Sequence, residues 1–174
     1  MNKIAIFFGP LDGAVHRVAK KVRNAIGEDK AVLVSVKDAS VSDLEKYNKI
    51  IFGISTVGKE TWHAKYNNND WANFLSEIGK TRYEGKTLAI FGLGDHVTYA
   101  STFVDHIGLL AHELMENGAT LVGQVSTDGY EFDESKSIID GKFIGLPIDE
   151  DFESELTDER VENWVEQLRP HFGF

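Results

Sequence analysis

The sequence predicts an α/β domain with a mainly parallel sheet and right-handed crossovers. Apolar runs of strand length recur at wide spacing, and the stretches between them place apolar residues at steps of three and four. The runs are continuous rather than alternating, which marks strands covered on both faces. With 174 residues, 42% hydrophobic and 11% aromatic, the chain can fill a core, and intrinsic disorder is excluded. No internal repeat, low-complexity segment or Pro/Ser-rich linker divides it, so a single domain over residues 1–174 is expected.

Ile4-Ala5-Ile6-Phe7-Phe8 is the first strand and ends at Gly9. Val15, Val18, Ala19, Val22 and Ile26 then mark one face of a helix closed by Gly27. Ala31 to Val36 is the second strand, and Ser40 to Lys46 a short helix with Ser40 as N-cap and Asp43 in its first turn. Ile50 to Ile54 and Leu88 to Gly92 are the third and fourth strands. Between them, after a polar loop, Trp71, Phe74, Leu75 and Ile78 carry helical spacing, and Trp71 reads as structural. A longer helix from about Thr102 to Glu116 turns Phe103, Ile107, Leu110, Ala111 and Leu114 inward, with His106 and His112 on its wet side. Thr120 to Val125 and Phe143 to Leu146 are two more strand pieces. The polar segment between them, Ser126 to Gly141, contains Tyr130 and Phe132 and reads as an ordered insertion. Thr157-Asp158-Glu159-Arg160 caps a final helix carrying Val161, Trp164, Val165 and Leu168.

Composition removes several functions at once. Eighteen basic against 28 acidic side chains leave a formal charge of −10, a sign that opposes a phosphate backbone, so no nucleic-acid role is expected. The absence of cysteine excludes disulfides, thiolate metal sites and cysteine nucleophiles. No apolar run reaches the ~18 residues that a membrane span needs. Met1-Asn2-Lys3-Ile4 runs straight into a strand without a signal-peptide layout, so a cytoplasmic protein is expected.

In a doubly wound sheet, ligands sit beyond the carboxyl ends of the strands, where the winding reverses. That rule selects the loops Gly9 to Ala14, Ser55 to Asp70 and Gly92 to Ser101. Gly92-Leu93-Gly94-Asp95-His96-Val97-Thr98-Tyr99, followed by Phe103, resembles the ring-binding loop of flavodoxins, G-x-G-D-x-x-x-Y. Ser126-Thr127-Asp128-Gly129-Tyr130-Glu131-Phe132, Ser135-Lys136 and Asp140 to Leu146 resemble the insertion of the long-chain members, as do Asp149-Glu150-Asp151, Leu156 to Arg160 and Trp164. The resemblance implies a flavodoxin-like five-stranded parallel sheet in order 2-1-3-4-5, its fifth strand split by the insertion. It also implies one-electron transfer through non-covalent FMN.

The residues that would hold FMN depart from the family at two loops. The family's phosphate loop carries hydroxyls in T/S-x-T/S-G-x-T, whereas here Pro10, Asp12 and Val15 stand at those positions. Pro10 also lacks a main-chain N–H, and Asp12 brings a like charge towards a dianion. Gly9, Gly13 and the helix N-terminus remain, with His16 as a candidate phosphate partner. In the second loop Ser55-Thr56-Val57 replaces the family's P-T-W, so Val57 stands where a stacking tryptophan is usual. The loop is also long and contains Trp62, His63 and Tyr66, of which Trp62 is the candidate to cover a ring. The third loop keeps the pattern: Tyr99 matches the other stacking aromatic, Asp95 its loop acid, and Gly92 and Gly94 permit close approach to a planar ring. Acidic residues around a reduced ring would push its last one-electron step negative.

Other chemistries find less support. No G-x-S-x-G and no G-x-x-x-x-G-K-[ST] is present. Asp149-Glu150-Asp151 reads as a solvated or partner-facing acidic patch suited to basic redox partners, and Asp158-Glu159 as a helix-start cluster. His16, His63 and His96 fall one in each selected loop and could together ligate a metal-bearing or tetrapyrrole cofactor such as haem, although their spacing is not a metal motif. The leading expectation is a flavodoxin-type carrier with an atypical FMN site, an electron-transfer protein more than an enzyme. The alternatives are a haem-type or other planar ligand in place of FMN, or a small flavin-dependent reductase with the second loop as a lid.

Overall fold

The computed structural model describes residues 3–55 and 70–174. Five strand positions form the main sheet: β1 (Ile4–Phe8), β2 (Ala31–Ser35), β3 (Lys49–Ser55), β4 (Thr87–Leu93), and a fifth shared by β5 (Thr120–Leu121) and β9 (Leu146–Ile148). The order is β2-β1-β3-β4-β5, and every pairing is parallel. Thr87 and Leu88 pair with β5, while Phe91, Gly92 and Leu93 pair with β9. The fifth strand is therefore split, as the family resemblance implied.

Alternation along the strands divides the core. Ile4, Ile6, Phe8, Ile51, Ala89 and Phe91 face α1 (Ala14–Ile26) and α5 (Thr157–Phe172). Ala5, Phe7, Ile50, Phe52, Leu88 and Ile90 pack with residues of α2 (Val41–Glu45), α3 (Asp70–Ile78) and α4 (Asp105–Glu116). Covering both faces is what a parallel sheet requires, and it explains the unbroken apolar runs. Gly27 ends α1 at φ 123°, a value that side chains resist, and returns its N–H to Arg23 O at 2.8 Å. Trp71 is buried and donates its indole N–H to Gly53 O at 3.1 Å, confirming a structural role.

The insertion forms a second sheet from β6 (Val125–Ser126), β7 (Ile138–Ile139) and β8 (Lys142–Phe143), antiparallel in order β6-β8-β7. Phe103 reaches across to its rings, with centroids 6.2 Å from Tyr130, 5.7 Å from Phe132 and 6.0 Å from Phe143. Among the described residues, no helix is long and apolar enough to cross a membrane.

Several boundaries differ from the sequence expectation. The strand expected over Thr120 to Val125 is two strands in different sheets, because the chain leaves β4 after Leu121 to enter the insertion. The Phe143 to Leu146 piece is likewise divided between β8 and β9. Helix α4 begins at Asp105, after a 3-10 turn over Ala100–Thr102. Thr157 is the first residue of α5 rather than its cap, and its hydroxyl donates to Glu150 at 2.8 Å. His106 is not on the wet side of α4: only 5% exposed, it faces inward. The apolar stripe of that helix is wider than the spacing of its large residues implied.

Burial pushes the His106 imidazole down to about 4 from an ordinary 6.5. The folded chain keeps the ring neutral while the unfolded chain protonates it, so stability is lost as pH falls from 6.5 towards 4. At ~1.36 kcal/mol per pKa unit, the loss across that window is about 3 kcal/mol. Urea unfolding of a His106→Gln variant should therefore show a shallower acid decline than the native chain. An identical decline would assign the acid sensitivity elsewhere.

Candidate functional site

Residues from four segments meet at the carboxyl ends of the strands around a cavity of about 240 Å³. Ala14 contributes from the start of α1 and Ser55 from the end of β3. Leu93, Gly94, Asp95 and Tyr99 contribute from the end of β4 and the loop behind it. Glu150 and Asp151 close the fourth side, just beyond β9. This is the crevice where the winding reverses between β1 and β3.

The loop after β4 is organised from within. The Asp95 carboxylate accepts the Val97 and Thr98 amides at 2.9 and 2.8 Å, and its carbonyl accepts the Tyr99 amide at 3.1 Å. Desolvation opposes the charge on Asp95, but bonds from the Thr98 hydroxyl and from both amides outweigh it and hold the carboxyl below its ordinary value. The folded loop leaves Tyr99 45% exposed at the cavity, a flat surface for an aromatic ligand. The two glycines carry a packing constraint that the sequence did not reveal. A Cβ at Gly92 would stand 2.5 Å from Ile107, and one at Gly94 would stand 2.7 Å from Val104 and 3.3 Å from Phe103. Packing against Ile107 of α4 and against Phe103 and Val104 just before it is by itself sufficient reason for glycine at both positions. Gly9 is likewise filled from inside, by Val36 at 2.6 Å.

His96 is engaged by the turn after β9. Its amide donates to Asp149 Oδ2 at 3.0 Å, and its Nδ1 is hydrogen-bonded to the same oxygen. Glu153 Oε1 lies 3.7 Å from that nitrogen. The hydrogen bond to Asp149 raises the imidazole above its ordinary value, and burial only partly opposes it. Asp149 itself is 0% exposed, which corrects its reading as part of a solvated patch. Only Glu150 and Asp151 of that triplet face the cavity. An acid directly after an apolar strand, followed by more acids, was the available signal, and it resembles a surface patch whenever topology is unknown.

The first loop is closed on itself. The Asp12 N–H donates to His16 Nδ1 at 3.0 Å, and the His16 ring stacks on Phe8 with centroids 4.6 Å apart. Asp12 takes a positive φ of 61°, with its side chain 95% exposed. Helix α1 starts behind Gly13 with no side-chain cap and no acid in its first turn, so its dipole faces the loop unopposed. Val15 is 1% exposed and belongs to the core. Thr56, Val57, Trp62, His63 and Tyr66 lie outside the described residues.

The model of the flavodoxin family matches residues 6–164. A flavodoxin of Nostoc sp. is 40% identical over 172 residues, covering 99% of this chain and 98% of its own. Flavodoxin 1 of Azotobacter vinelandii is 38% identical over 176 residues, with 99% and 98% covered. The chain belongs to the flavodoxin family. Flavodoxins are a standing instance of the rule that ligands gather where strand order reverses. The crystal structure of a Fusobacterium nucleatum flavodoxin bound to flavin mononucleotide superposes with a TM-score of 0.88, 27% identity, and 99% of both chains covered.

Within this flavodoxin, then, Ser55, Gly94, Asp95 and Tyr99 meet at one cavity, while His16 and Asp12 pair with each other beside it. His16 and His96 each engage a neighbour of their own and do not assemble a shared ligand set. Replacing Gly94 by alanine would drive a methyl into Val104 Cγ1, a buried β-branched neighbour at φ 47° with little room to yield. We expect Gly94→Ala to cost about 1–3 kcal/mol in denaturant titrations. No loss would show that the Gly94–Val104 contact is slack.

Proposed function

We propose that this flavodoxin carries single electrons between protein partners through non-covalently bound FMN, held firmly at its ring and loosely at its phosphate. The cavity at the strand ends, with Tyr99 exposed beside it, is the observation that carries the reading. FMN supplies one-electron chemistry when bound. Tyr99 offers the ring a flat face, and Asp95 holds the loop that presents it. Membership of the family and the FMN-bound Fusobacterium nucleatum structure support the same cofactor.

The phosphate end fits less well. Pro10 has no N–H to give, the Asp12 amide is already committed to His16, and the Asp12 carboxylate adds a like charge. His16 Nδ1 accepts that amide, which leaves the ring only its Nε2–H to offer a phosphate. Beside it stands the uncapped N-terminus of α1 with its dipole. Glu150, Asp151 and Asp95 add negative charge around the cavity. Their field supports docking of partners with basic surfaces, and exposed Val97, Tyr99 and Phe152 offer apolar contact at the same end.

A visible spectrum of the purified protein, followed by titration of the apoprotein with FMN and riboflavin, tests the reading. Flavin bands are expected, with FMN preferred over riboflavin by no more than about tenfold, equivalent to ~1.4 kcal/mol. Pro10→Thr with Asp12→Thr should raise FMN affinity by at least about tenfold and leave riboflavin unchanged, since it restores hydroxyls and an amide and removes a charge. Val15 is kept because a hydroxyl there would be buried. A strong native preference for FMN would overturn the loose phosphate end. Binding indifferent to Tyr99→Ala would overturn the site itself.

A further inference from the structure

We propose that His96, Asp149 and Glu153 form a binding site for a divalent transition-metal ion of the zinc type. One donor atom from each, an imidazole nitrogen and two carboxylate oxygens, lies within 4.8 Å of the other two. They arrive from segments more than fifty residues apart in sequence, the loop after β4 and the turn after β9. The site is independent of whether flavin is held.

Three features separate it from a chance cluster of surface acids. The side chains are sheltered: His96 is 15% exposed, Glu153 19% and Asp149 0%. Asp149 is also oriented in advance, because its Oδ1 accepts the Asp151 and Phe152 amides at 3.0 and 2.9 Å and leaves Oδ2 facing the imidazole. Outer hydrogen bonds of this kind orient ligating carboxylates in metal sites. Glu153 is steadied in turn by Arg160, whose Nη1 lies 3.3 Å from Oε1.

The donor set chooses the ion. Imidazole with two carboxylates suits zinc and its neighbours, whereas magnesium and calcium favour oxygen alone. Ligand distances of about 2.0–2.2 Å place tetrahedral donors roughly 3.4 Å apart. The 3.7 Å between His96 Nδ1 and Glu153 Oε1 is close to that already. The Asp149 oxygen must open away from the imidazole, as the ion takes the place of the proton between them. Three protein ligands leave a fourth position for water or a partner's side chain.

Calorimetric titration of the native protein with zinc chloride, repeated on His96→Gln, Glu153→Gln and His112→Gln, tests the proposal. His112 and Glu116, 3.1 Å apart on the exposed side of α4, provide the control for adventitious binding. One zinc ion should bind, at least tenfold more weakly after His96→Gln or Glu153→Gln and unchanged after His112→Gln. In the native protein, NMR should show zinc perturbing the His96 ring resonances and not those of His112, a readout that needs no variant to fold. No binding, equal binding in His96→Gln, or loss confined to His112→Gln would overturn the site.

Discussion

The strand-end site depends on one buried carboxylate. Asp149 is withdrawn from water entirely, a placement that costs several kcal/mol unless the charge is matched. It is matched by the amides of His96, Asp151 and Phe152 and by the His96 ring. The two bonds from His96 join the loop behind β4 to the turn behind β9, and the other two fold that turn around the carboxylate. They therefore set the distance between Tyr99 and Asp95 on one wall of the cavity and Glu150 and Asp151 on another. Removing the acceptor would leave three main-chain donors unsatisfied at once, and both walls would lose their common anchor.

The insertion acts on the same loop from the other side. Asp133 and Glu134 give their amides to Ala100 O at 2.8 and 3.0 Å, and the Ser135 hydroxyl donates to Phe103 O at 2.6 Å. Ser137 accepts the Gly108 amide at 2.7 Å while its own proton goes to Val104 O. Between these clamps Val104 sits in the left-handed region, at φ 47° and ψ 30°. A β-branched residue there stores about 1–3 kcal/mol of strain. That strain persists because Phe103 is locked into the aromatic cluster of the insertion, which leaves the intervening chain no relaxed path into α4. Strand-splitting and ring-loop rigidity are thus two results of a single insertion.

What could be read from the sequence followed the range of the interactions involved. Strand and helix identities rest on local periodicity, and Ile4 to Phe8 or Val15 to Ile26 could hardly fold otherwise. The split fifth strand came from resemblance, since Leu121 and Leu146 look alike without knowledge of β4 between them. The site was half legible. Tyr99 and Asp95 belong to a contiguous motif, and their loop folds on itself. Asp149 and His96 are partners across 53 positions, and no local pattern distinguishes such an acid from its solvated neighbours. The packing demand at Gly92 and Gly94 was invisible in the sequence, because a missing Cβ looks the same whether a ligand or Ile107 fills the space.

The two ends of the cavity also follow different physical logic. Stacking of a ring on Tyr99, as proposed, would need one exposed flat face and would tolerate drift in the first loop. Phosphate recognition instead needs several donors aimed at one point, so each lost donor removes a discrete contribution. In this chain the Asp12 amide has turned inward to His16, and His16 has settled on Phe8. The Asp12 amide is thereby satisfied from within the loop. On the proposed reading, a ligand phosphate would compete with that internal hydrogen bond as well as with water. On the same reading, the departures at Pro10 and Asp12 would therefore act on affinity at the phosphate end, while Asp95 and Tyr99 keep their places at the ring wall.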